Sequence, residues 1–171
     1  MKVEFIESRK IIGMIDYPPL HSPETLATSY EYIKSGRHDL FIPIVVIPRN
    51  LVVSHFAKRK RFETYKDQWT KFISEHPYAD FFMIDGKHRA AAATLFGHKV
   101  PCWIIKNDKD VEKLINLVTT KKIKITGLGI NMEETIAILE EHFSKNKKFW
   151  TVEEKTKAMI AQGDIPGHMF N

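Results

Sequence analysis

Phe81-Phe82-Met83-Ile84-Asp85-Gly86-Lys87-His88-Arg89-Ala90-Ala91-Ala92-Ala93-Thr94-Leu95-Phe96 is the stretch that decides the fold. The first four residues form an apolar run of strand length. Asp85-Gly86 is a turn signal. The alanine run that follows is a strong helix former with small side chains, and Gly97 closes it. Strand, tight glycine turn and helix therefore follow one another directly. At such a junction the free N–H groups and positive end of the helix face outward and favour an anion. Lys87, His88 and Arg89 surround that point with donors. Gly86 to Ala90 thus reads as a phosphate-binding turn, with Arg89 able to grip two oxygens and Lys87 acting as a point charge, or equally as a plain strand–turn–helix junction whose charged residues are exposed. Asp85 is the adjacent carboxylate, placed to accept a proton or orient a metal.

Upstream, Ile42-Pro43-Ile44-Val45-Val46-Ile47-Pro48 reads as a buried strand framed by prolines. Before it, Ser22-Pro23-Glu24 opens a helix, with Ser22 as its cap. Leu26, Tyr30 and Ile33 mark its buried face, and Gly36 stops it. Short apolar stretches at 2–6 and 10–15 are expected strands, the second ended by Asp16-Tyr17-Pro18-Pro19. Downstream, Val100 to Ile105 is the next strand, with Cys102 in the core. A helix over 108–119 is marked by Val111, Leu114, Ile115 and Val118. Gly127-Leu128-Gly129 reads as a structural turn. Asn131 with Glu134 starts another helix, and Thr151-Val152-Glu153-Glu154 is a capping box for a last one ending at Gly163. The alternation of strands and helices predicts an α/β (mixed α+β) fold, a small sheet with packed helices.

The chain has 171 residues and one cysteine, with 43% hydrophobic and 27% charged residues. This composition excludes a disulfide scaffold, a collagen and a disordered tail. No apolar run approaches the ~20 residues of a membrane span, and no signal peptide is evident, so the expected location is cytoplasmic. The eight histidines show no metal-ligand spacing, and no metal site is expected.

The net charge is +5, and residues 49–77 hold seven Lys and Arg against three Asp and Glu. The densest run is Lys58-Arg59-Lys60-Arg61. It is expected on a long helix capped by Ser54 and ended by His76-Pro77, with Phe62, Tyr65, Trp69, Phe72 and Ile73 as its packing stripe. The basic run suits a nucleic-acid backbone, or else a solvated face.

The order of these elements, with Asp85-Gly86-Lys87-His88-Arg89-Ala90-Ala91, Gly97 and Val100-Pro101, resembles the ParB/sulfiredoxin superfamily of ParB-like nuclease domains. The resemblance covers about residues 1–106, apart from a basic helical insertion near 49–79, and leaves 107–171 as a helical extension. It implies a ParB/sulfiredoxin-like fold whose turn binds nucleotide phosphates. Members include partition proteins that bind CTP and DNA, sulfiredoxins, and free-serine kinases that use ADP. Lys87 stands where sulfiredoxins carry their catalytic cysteine, so sulfinic-acid repair is not expected. The arginine-rich turn and downstream signature of the partition proteins are absent. The local match is nearest the D-G-x-H-R turn of the free-serine kinases. That resemblance implies that Asp85, His88 and Arg89 meet phosphate and substrate. It also implies a base near the N-terminal loop, for which Asp16 and Glu24 are the nearest acids.

Two functions are therefore expected as alternatives. One is a nucleotide-dependent phosphotransferase or hydrolase using ATP, ADP or CTP with Mg2+. The other is a DNA-binding ParB-like module acting through Lys58, Arg59, Lys60 and Arg61 without catalysis. The apolar faces of the C-terminal helices suit packing on the core or a homodimer.

Overall fold

The computed structural model describes residues 1–14, 23–121 and 123–169. Among the described residues six strands form one sheet: β1 (Val3–Ile6), β2 (Ile11–Gly13), β3 (Ile44–Pro48), β4 (Phe81–Asp85), β5 (Val100–Ile104) and β6 (Trp150–Thr151). Seven α-helices are described: α1 (Pro23–Lys34), α2 (Arg49–Phe56), α3 (Lys66–Glu75), α4 (Lys87–Leu95), α5 (Asp108–Lys121), α6 (Met132–Asn146) and α7 (Val152–Ala161). Among these helices none is long and apolar enough to cross a membrane.

The strand order is β1-β5-β3-β4-β2-β6. The pairings β5–β3 and β4–β2 are parallel, and the other three are antiparallel. This is the mixed α/β arrangement that the sequence predicts.

Strand alternation divides the core in two. Ile11, Ile44, Val46, Met83 and Cys102 face a layer formed by α1, α4 and α7. Ile12, Val45, Ile47, Phe82, Ile84 and Trp103 face α2, α3, α5 and α6. Both faces are covered, so the run Ile44-Val45-Val46-Ile47 is apolar without interruption. On the first face Ala90, Ala91, Ala92 and Ala93 are all buried. Their small side chains let α4 sit close to the sheet and to α1, where Tyr30 meets Phe96 at 4.5 Å between ring centroids.

Residues 49–79 depart from the expected single long helix. Helix α2 already begins at Arg49, and Ser54 lies inside it, its hydroxyl bonded back to the carbonyl of Asn50 at 2.6 Å. The chain then breaks, passes through a short 3-10 turn over Lys60–Thr64, and resumes as α3. The break follows from the aromatic residues. Phe56, Phe62 and Tyr65 all enter one cluster, with centroid separations of 5.3–6.3 Å. On one continuous helix Phe56 and Phe62 would stand about 120° apart. The expected packing stripe is otherwise present: Phe62, Tyr65, Trp69 and Phe72 are buried.

The C-terminal residues are helical but also feed the sheet. Asn131 caps α6 by accepting from the Glu134 amide, and Lys147 ends that helix in the left-handed region at φ 51°. The chain then returns as β6 beside β2 before the Thr151–Glu154 capping box opens α7. The segment after 107 therefore contributes an edge strand and helices on both faces.

Candidate functional site

Strand β4 carries a bulge where it leaves the sheet. Val45 stands opposite Asp85 and Val46 opposite Met83, so Ile84 is the extra residue. Bulges re-aim the side chain beside them. Gly86 follows at φ 106°, ψ 29° and caps α4. A β-carbon on Gly86 would lie 2.4 Å from Ile44 Cγ2 and 2.7 Å from Ile44 Cβ. Only glycine meets both the positive φ and that approach.

One turn into α4, Arg89 folds back over this junction. Its Nη2 donates to Asp85 Oδ2, while Nη1 donates to the carbonyls of Ile42 at 2.9 Å and Pro43 at 3.1 Å. Asp85 Oδ1 accepts from the Thr126 amide at 3.1 Å and the Thr126 hydroxyl at 2.7 Å. The Arg89 and Asp85 side chains are only 14% and 11% exposed. Burial pulls the Arg89 guanidinium below its ordinary value, with the Asp85 charge and hydrogen bond opposing that shift. The pair is a clasp joining the end of β4, the start of α4, the entry to β3 and the loop at 126. Both oxygens of Asp85 are engaged within the fold, and three contacts of Arg89 go to protein acceptors.

Over the clasp lies a cleft of about 610 Å³. Its floor includes Asp85, Gly86, Lys87, His88 and Arg89. Helix α1 forms one wall, presenting Glu24, Thr25, Thr28 and Tyr32. Lys124 and Thr126 close another side. The fold thus brings Glu24 and the whole 85–89 turn into one cavity. Ala90 is fully buried beneath the turn and does not line it. Asp16 lies outside the described residues, as does the expected cap Ser22.

Lys124 and Thr126 were not among the expected site residues, because the 127–129 turn reads as structural. The available signal is alternation. Ile123 and Ile125 pack on the core, so Lys124 and Thr126 project the other way.

Lys58, Arg59, Lys60 and Arg61 do not line this cleft and lie on the exposed turn between α2 and α3. They face α6. Arg59 Nη2 is 3.5 Å from Glu133 Oε1, and Arg59, Lys60 and Arg61 share a hollow with Glu140 and Glu141. Acidic side chains therefore offset part of the basic run.

Among the described residues no three His, Cys, Asp or Glu side chains gather as a metal site. No family model, curated protein or solved structure matches this chain.

Proposed function

We propose that the cleft over the Asp85–Arg89 turn binds the phosphates of a nucleotide, in a phosphotransferase or nucleotide hydrolase. The carrying observation is that Lys87 and His88, at the amino end of α4, line one cleft together with Lys124 and with Glu24 of α1. A helix amino end flanked by two lysines favours a polyphosphate. The D-G-x-H-R resemblance supports the same reading.

In this proposal the clasp residues position and the cleft residues bind. Asp85 and Arg89 hold the turn rigid. Lys87 and Lys124 offset charge that develops on transferred phosphoryl oxygens. Glu24 is the one carboxylate lining the cleft outside the clasp, among the described residues, and it takes the proton from an attacking hydroxyl or water. Mg2+ would neutralise phosphate charge. It would arrive with the nucleotide, and Glu24, the cleft carboxylate outside the clasp, would help to hold it.

The test is calorimetric titration with ATP, ADP and CTP, each with Mg2+. Lys87→Ala and Lys124→Ala should each weaken binding about tenfold or more, since hydrogen bonds to charged groups contribute roughly 1.5–3 kcal/mol. Glu24→Gln should keep binding and lower turnover by roughly 10²–10⁴. Absence of binding at millimolar nucleotide overturns the proposal.

The DNA-binding reading rests on the exposure of Lys58, Arg59, Lys60 and Arg61. The acidic residues of α6 beside them count against it. A gel-shift series with all four changed to Ala separates the two, since the nucleotide cleft would be untouched.

A further inference from the structure

Strand β1 ends the sheet. It pairs with β5 on one side, and among the described residues no strand flanks its other side. Such an edge presents a row of backbone donors and acceptors. This edge is also apolar. Phe5 is 66% exposed, Met1 43% and Val3 36%. An apolar hollow of about 440 Å³ adjoins it, lined in part by Val3, Phe5, Phe41, Pro43 and Pro101.

We propose that β1 pairs antiparallel with β1 of a second copy of this chain across a two-fold axis, with Val3 opposite the partner's Val3. The register follows from charge and from strand geometry. Directly opposed residues in an antiparallel pair place their side chains on the same face, while successive residues alternate faces. A two-fold axis normal to the sheet must therefore set some residue opposite its own copy. Centred on Lys2 or Glu4, the axis would oppose like charges. Centred on Phe5, it would set Glu4 against the partner's Ile6. Centred on Val3, it sets Lys2 against the partner's Glu4 and Glu4 against the partner's Lys2. The same register places Met1 against the partner's Phe5, twice over. One face then carries two ion pairs and the other a continuous apolar row. Cross-strand pairs of both kinds stabilise a sheet. The charged residues that guard this edge against other strands are complementary to themselves, so the edge selects its own copy.

Sedimentation equilibrium over a wide concentration range tests the pairing. The unaltered chain should form a dimer. Lys2→Glu and Glu4→Lys should each weaken it, roughly tenfold or more, because both symmetric pairs become repulsive. The double variant Lys2→Glu/Glu4→Lys restores opposite charges and should recover the dimer. Both side chains are exposed, and unchanged thermal melting of each variant at low concentration verifies that the fold is intact. A monomer at every concentration overturns the proposal. So does a dimer indifferent to the single reversals, or a double variant that fails to recover.

Discussion

Arg89 and Asp85 form a part-buried ion pair four residues apart, and Arg89 simultaneously holds the carbonyls of Ile42 and Pro43. The pair spans the point where β4 becomes α4, so its first consequence is for stability. Arg89→Ala leaves a largely buried carboxylate and two carbonyls without their donor. The expected loss is about 3 kcal/mol, read from chemical denaturation. Arg89→Lys should not recover it, because an ammonium lacks the planar fork that reaches several acceptors at once. Thr126→Val removes only one hydroxyl hydrogen bond to Asp85 and should cost about 1 kcal/mol.

Gly86 and Gly97 provide a matched comparison, since both have positive φ, at 106° and 66°. A methyl on Gly86 collides with Ile44, whereas one on Gly97 meets nothing within 4 Å. Gly97→Ala should therefore cost only the conformational term, about 1 kcal/mol. Gly86→Ala adds overpacking and should cost about 1–3 kcal/mol beyond that, with a corresponding fall in Tm.

Glu154 joins the last helix to the distant α3. Its Oε2 accepts from the Thr151 amide at 2.8 Å, closing the capping box, while its Oε1 meets His76 Nε2 at 2.7 Å. His76 is itself stacked on Phe72, with 4.6 Å between ring centroids. Glu154→Ala removes both connections and should cost about 2 kcal/mol in denaturation. Its neighbour Glu153 makes a surface pair with Lys157 at 3.4 Å. Glu153→Ala should change stability by about 0.5 kcal/mol or less.

Cys102 is fully buried, and burial pushes its thiol up to about 12, with the Glu4 charge adding to the effect. A thiol reagent should react slowly with the native chain and quickly after unfolding. The same shift gives a pH dependence. Between pH 9.0 and about 12 the folded thiol keeps its proton while the unfolded one loses it. Unfolding then releases a proton, so stability falls as pH rises through this window. The contribution is fully present below pH 9.0, the ordinary thiol value. Denaturation curves of the unaltered chain and Cys102→Ala, compared above pH 9.0, should show a shallower decline in the variant.

Several elements were legible because their causes are local. The 44–47 run is apolar on every residue, and it lies in the middle of a sheet covered on both faces. Asn131 and Thr151 cap helices through residues three positions on, so the capping pattern is written within one turn. The glycine between Asp85 and Lys87 marks a turn that must be tight, and the turn is there. The break between α2 and α3 was less legible. Helical spacing over 62–73 is genuine, but which aromatic residues share a cluster depends on how the chain folds back.

Sequence by itself determined the order of strands and helices apart from the α2–α3 break and strand β6, and with it the glycine at the mouth of α4 and the donors that follow it, because each depends on neighbours within a few residues. Tertiary structure alone decided what those donors do. Arg89 meets carbonyls 47 and 46 positions away, and Asp85 meets a threonine 41 positions away. Those encounters tie the two residues into a clasp in the floor of the cleft that Lys87, His88, Lys124 and Glu24 also line. The physical reason is burial. A buried charge needs every available partner, and the partners are supplied by packing of segments that sequence separation keeps apart.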